Sequence, residues 1–150
     1  MEECMNTTYP ITIYYDSSCP LCKQEMSRLK QHDHAGKLIL NDCSAANFVA
    51  PAGAPDKSEM MKLLHVQTAD GLWVIGVPAF RLAYAGVGFN FVSDWLDKPR
   101  ISRMMKLLYP HIARHRYVIP EWLAKAWFNW LSAQALRRSS TCANDQCKIK

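Results

Sequence analysis

The feature that most constrains this chain is a change of pattern between residues 9 and 31. Tyr9-Pro10-Ile11-Thr12-Ile13-Tyr14-Tyr15 is β-branched and aromatic and reads as a strand, and Asp16-Ser17-Ser18 is a turn-forming run. From Cys19-Pro20-Leu21-Cys22 onward, Leu21, Met26 and Leu29 recur at helical spacing to about Gln31. Pro20 suits the first helical position, where its missing N–H would have no intrahelical partner anyway. A strand, a short loop and a helix that opens on Cys-x-x-Cys are therefore expected in succession.

Two cysteines three positions apart at a helix start share one face and lie within reach of a disulfide. Unpaired backbone N–H groups and the helix dipole stabilise a thiolate there, taking a cysteine pKa from about 8.5 into the range of roughly 3.5 to 7.5. Cys19, at the very end, gains most and is expected to attack. Cys22, one turn in, is expected to be less exposed and to resolve the mixed disulfide formed on Cys19. The electrons reside in the pair itself, so no organic cofactor is expected. Asp16, at the strand end, is a second-rank site residue: it either relays the proton of the exchanging thiols or caps the loop through nearby N–H groups.

Other chemistries for the pair fit less well. After Cys22 the histidines are His32 and His34, one residue apart, and Cys43 is followed by Ala46 where a second pair would end, so the local zinc pattern fails. Lys23 stands where c-type haem attachment needs His. The alternative that stays open is a non-catalytic zinc or redox sensor built from Cys19, Cys22, Cys142 and Cys147. Cys43, at the end of the second strand, could approach the motif but is more often a small buried apolar residue.

Farther along, Lys37 to Asp42 reads as a second strand, parallel to the first through a right-handed crossover. A helix is expected over Ser58 to Leu64. Leu63 to Gln67 and Leu72 to Gly76 flank Thr68-Ala69-Asp70-Gly71, whose Asp-Gly signals a hairpin. A helix follows Pro78 to about Ala85, and Phe89 to Trp95 is an aromatic connection of unassigned type. Helices are expected from Ile101 to about Arg116 and from Glu121 to about Arg137. The order implies an α/β fold with a mixed sheet, flanking helices and additional C-terminal helices. It forms one domain over residues 1–138, followed by a polar, mobile, cysteine-containing tail over 139–150.

The 150 residues suffice for one core, and 49% hydrophobic with 21% charged residues is an ordinary globular balance. Acids at Glu2 and Glu3 argue against a signal peptide, and no apolar run is long enough for a membrane span. A cytoplasmic protein is expected. Much of the net charge of +5 comes from Lys98 to Pro120, which holds Arg100, Arg103, Lys106, Arg114 and Arg116 and no acid. Because Ile101, Met105, Leu108 and Ile112 repeat at helical spacing, that charge reads as a solvated helix face rather than a nucleic-acid site. Trp122, Trp127, Phe128 and Trp130 are expected to pack the last helix onto the core.

The run Tyr14-Tyr15-Asp16-Ser17-Ser18-Cys19-Pro20-Leu21-Cys22 resembles the DCC family (DUF393) of thiol-disulfide oxidoreductases, named for its Asp-x-x-Cys-x-x-Cys signature. Leu64-His65-Val66, Asp70-Gly71, Gly76 with Ala79-Phe80, Tyr109 with Ile112-Ala113, and Arg116-Tyr117 resemble its later landmarks, so the likeness covers about residues 9–118. The resemblance implies a thioredoxin-like fold and protein-disulfide reductase activity. Its partners would be protein or small-molecule disulfides and a thiol electron donor. Two departures stand out. Ser17 replaces the glycine usual after the aspartate, which would alter a positive-φ turn, and Pro78 follows the hairpin where thioredoxins place a cis-proline before it.

Overall fold

A computed structural model describes residues 8–144. Strand β1 (Ile11–Tyr15) leads into helix α1 (Pro20–Gln31), and the chain returns as β2 (Leu38–Asp42), parallel to β1 with Ile11 opposite Leu38 and Tyr15 opposite Asp42. After the single-turn α2 (Lys57–Met60), β3 (His65–Gln67) runs antiparallel on the other side of β1, and β4 (Trp73–Ile75) pairs with β3. The strand order is β2-β1-β3-β4, a mixed sheet consistent with a thioredoxin-like architecture. Helices α3 (Val77–Gly86), α4 (Asn90–Asp97), α5 (Pro99–His115) and α6 (Glu121–Asn144) complete the fold.

β1 is covered on both faces, which explains a run that is apolar apart from Thr12 instead of strictly alternating. Ile11 and Ile13 are fully buried with Val66, Met26, Leu29 and Leu38 on one face. Tyr14 on the other face packs with Cys43 and Met60. Met26 and Leu29 are the residues that α1 buries, as their spacing predicts. The exit from α1 is fixed by Asp33, whose carboxylate accepts the N–H groups of Lys37 and Leu38 at 2.7 and 3.0 Å and pairs with Lys30 at 2.8 Å. That one side chain holds the helix end to the start of β2. At the hairpin, Gly71 has φ +89°, where a side chain would be strained, and Thr68 Oγ1 accepts the Leu72 N–H at 3.0 Å.

Several expectations change. The helix expected over Ser58 to Leu64 stops at Met60. The Leu64 N–H is drawn to the Tyr109 hydroxyl at 2.9 Å and its carbonyl to the Gly76 N–H at 2.9 Å, so the chain is already extended there. The connection Phe89 to Trp95 is mostly helix, as α4. The last helix continues beyond Arg137 to Asn144. Ser17 needs no left-handed backbone, since no non-glycine among the described residues has positive φ; its N–H and hydroxyl bond to Asp42 instead. Pro78 does open α3, and the cis prolyl bond is Tyr9–Pro10, ahead of β1.

The largest correction concerns α6. Phe128 is 2% exposed and Ala124 is buried, but Trp122, Trp127 and Trp130 are 68%, 54% and 53% exposed. α6 packs on α1 through a narrow stripe, which leaves the tryptophan side of the helix without a cover from the core. No helix among the described residues is long and apolar enough to cross a membrane. We therefore expect Phe128→Ala to lower the unfolding free energy by about 3–5 kcal/mol, as for other buried aromatic truncations. Trp130→Ala should change it by no more than about 0.5 kcal/mol, both read from denaturant midpoints.

Candidate functional site

The Cys-x-x-Cys pair sits where the sheet's central strand hands over to α1. The Asp16 carboxylate accepts the Ser18 N–H at 2.9 Å, closing the loop, and Cys19 is the N-cap of α1, its sulfur accepting the Cys22 N–H at 3.4 Å. Pro20 occupies the first turn as its sequence position predicts. Both thiols are free and approach to 3.2 Å, a separation from which a disulfide closes with little backbone movement.

Arg116, at the end of α5, reaches back over this corner. It is 8% exposed, so the residue grouped with a solvated basic face is in fact buried. One guanidinium nitrogen pairs with Asp16 at 2.9 Å, contacts the Tyr117 hydroxyl at 3.0 Å and donates to the Met61 carbonyl. The other donates to Cys22 Sγ at 3.9 Å, and the Arg116 carbonyl lies 4.0 Å from Cys19 Sγ. Tyr117 also donates its hydroxyl to Asp16. Asp16 therefore acts as loop cap and as the anchor of Arg116. The helical periodicity that made the basic stretch look solvated is right for Arg103 and Lys106, which are exposed. It says nothing about a residue beyond the helix end. The signal in the sequence was Arg116-Tyr117 as a shared landmark.

The two thiols are driven apart in acidity. The Cys22 thiol donating to Cys19, the Cys22 and Leu21 N–H groups and the charge of Arg116 lower Cys19 from 9.0 to about 6, against the opposing effect of burial. Donation to Cys19, burial and the negative charges of Cys19 and Glu25 push Cys22 far up, against the charge of Arg116. The expected ordering of exposure is reversed, however. Cys19 is 0% exposed, while Cys22 is partly exposed and forms part of the wall of a cavity of about 440 Å³. Capping the helix turns the Cys19 sulfur inward, under Arg116, whereas Cys22 lies on the helix side that faces α3 and α5.

Sequence reasoning assigns no role to Glu25. It lies one turn beyond Cys22 on the same face, lines the same cavity and accepts the Tyr84 hydroxyl at 2.8 Å. Burial raises its carboxyl from 4.5 to about 7, with the Tyr84 bond opposing and Cys19 adding to the rise. Cys43 is buried beside Tyr14 and Met60, and burial, helped by the charge of Asp42, pushes its thiol up to about 11, as suits a packing residue. Among the described residues, no three His, Cys, Asp or Glu side chains gather as metal ligands. Cys4, Cys147 and the Cys142 side chain lie outside the described residues, and with them the four-cysteine zinc set.

Two outcomes test this electrostatic arrangement. Arg116→Leu leaves Asp16 as an uncompensated buried carboxylate and should cost about 3–5 kcal/mol of stability in denaturant unfolding. For Glu25, folding favours the protonated form. The associated stability is present below pH 4.5, falls as the unfolded chain ionises, and is gone above about 7. Glu25→Gln should thus match the wild type near pH 4 and exceed it near pH 8, by at most about 3 kcal/mol.

Comparison with known proteins agrees with the geometry. A family model described as DCC1-like thiol-disulfide oxidoreductase matches residues 13–122. An uncharacterized chloroplastic protein of Arabidopsis thaliana is 28% identical over 117 residues, covering 77% of this chain and 55% of its own length. The chain thus spans about half the length of that curated relative. No solved structure matches. From Ile13 to Trp122, across the cysteine pair, the sheet and the Arg116 clamp, this chain belongs to the DCC1-like thiol-disulfide oxidoreductase family.

Proposed function

We propose that the chain is a thiol-disulfide oxidoreductase that reduces disulfides with the Cys19–Cys22 pair, Cys19 attacking and Cys22 resolving. The observation that carries this reading is two free thiols 3.2 Å apart at the N-terminus of α1 with Arg116 beside them, an arrangement that lowers the pKa of Cys19 and raises that of Cys22. With a pKa of about 6, Cys19 is roughly 90% thiolate at pH 7, whereas an unperturbed thiol is a few per cent thiolate. The Cys19 thiolate attacks one substrate sulfur, the substrate S–S bond breaks, and one thiol leaves. Cys22 then gives up its proton and attacks the Cys19 sulfur, forming the protein disulfide and releasing the second thiol. Glu25, one turn away with a pKa of about 7, is the acceptor for that proton. A thiol donor of a reducing compartment, such as the cytoplasm, returns the pair to the dithiol.

The exposure of Cys22 favours a second order of events. In it the substrate joins Cys22, and Cys19, the better leaving thiolate, closes the disulfide. Single-cysteine variants separate the two. Incubated with a mixed protein or small disulfide and analysed by mass spectrometry, Cys22→Ser should hold a stable adduct on Cys19, and Cys19→Ser should hold none. An adduct confined to Cys22 in Cys19→Ser establishes the second order. Disulfide reduction that persists in Cys19→Ser/Cys22→Ser removes the pair from the chemistry altogether. Glu25→Gln should slow the resolving step by about a hundredfold and abolish its rise with pH around neutrality.

A further inference from the structure

The cavity beside the cysteine pair is larger and more apolar than exchange between two sulfurs requires. At about 440 Å³ it falls within the range of roughly 300–1,000 Å³ that holds small organic ligands. Leu21, Val77, Phe80, Met105, Ile112 and Trp127 contribute to its wall, and Cys22 is the sulfur that opens onto it. Its mouth is marked by residues that both line it and reach the surface: Trp95, Leu123 and Trp127, exposed by 42%, 46% and 54%.

The polar groups in the wall present little net charge to an occupant. Arg116 is paired with Asp16, although its Nε is a buried donor without a partner; the Tyr109 oxygen accepts the Leu64 N–H, and the Tyr84 hydroxyl donates to Glu25. Glu25 is half ionised near pH 7, and the charge it then carries is negative, which does not attract a carboxylate. A disulfide carrying free carboxylates or ammonium groups would lose its hydration here, and the one cation in the wall, Arg116, is already paired with Asp16. A neutral aromatic or aliphatic disulfide would lose nothing by entering.

We propose that this cavity, with Cys22 in its wall, seats the apolar body of a small, uncharged disulfide whose S–S bond is exchanged with the adjoining Cys19–Cys22 pair, and that charged disulfides such as oxidised glutathione are poor substrates. The inference rests on the thiol-disulfide reading above and names its substrate class. The reaction balances without another component. The substrate gains two electrons and two protons and leaves as two thiols, while the Cys19–Cys22 dithiol loses them and becomes the disulfide. A small thiol reductant then reverses the second change.

The experiment has a redox arm and a binding arm. In the first, reduced protein is mixed with dibenzyl disulfide or oxidised glutathione, and each rate is divided by that of free dithiothreitol with the same compound. We expect the normalised rate to favour dibenzyl disulfide by about a hundredfold, a ratio within reach of an apolar pocket. In the second, Nile red is titrated into Cys19→Ser/Cys22→Ser, where no exchange can occur, and should bind with one probe per chain. Filling the cavity with Ala113→Trp or, at its edge, Ile119→Trp should weaken that binding at least tenfold, roughly the effect of a lost pocket contact. Two positions are used so that one failing to fold leaves the other.

Equal or faster normalised reduction of oxidised glutathione overturns the inference while leaving the proposed function standing. So does Nile red binding that is absent or indifferent to both substitutions. Probe binding that responds to the substitutions, in a protein that reduces neither of these disulfides nor the disulfides of insulin, overturns the oxidoreductase reading and leaves only an apolar binding site.

Discussion

The buried ion pair between Asp16 and Arg116 joins positions a hundred residues apart, and the working corner of the molecule is assembled around it. Asp16 ends the central strand and closes the loop into α1, so its position follows from the sheet. Arg116 arrives from the far end of α5 and is held by Asp16, by Tyr117 and by the Met61 carbonyl before β3. The clamp therefore ties the sheet, the segment before β3 and the last turn of α5 to one guanidinium. Breaking such a pair strands a charge in the interior, which is costly.

The acidity of the pair follows from this placement. A helix N-terminus favours a thiolate at Cys19, and Arg116 adds a fixed positive charge from the other side. Cys22, in the same helix turn, donates to that thiolate and so keeps its own proton. The two sulfurs share one local field and are pushed in opposite directions by it. Glu25 extends the arrangement inward, where burial places a carboxyl near neutrality beside the thiol that must later be deprotonated. The cavity wall supplies the low-polarity surroundings responsible for that rise.

Much of this was legible in the sequence because it is local. The strand run Ile11 to Tyr15, Pro20 at the head of α1, the Met26 and Leu29 spacing and the Asp70-Gly71 turn all work over a few residues, and each element lies where the pattern places it. The parts that were not legible depend on distant chain. Arg116 looks like one more basic residue until the end of α5 is brought to Asp16. Glu25 is one more polar helix residue until Tyr84 of α3 is brought to it. The greater exposure of Cys22 could not be read from helix position, because it reflects which side of α1 faces the cavity. The tryptophans of α6 failed for a related reason: aromatic content predicts burial only where enough partner surface exists, and α6 offers the core only a narrow stripe.

The most direct measurement of this account is a titration of the individual thiols in the reduced protein, followed by the cysteine β-carbon chemical shifts in nuclear magnetic resonance. Cys19 should lose its proton with a midpoint near pH 6 while Cys22 remains protonated well above the ordinary thiol range. Two thiols titrating together near the unperturbed value of about 8.5, or Cys22 ionising before Cys19, would contradict it.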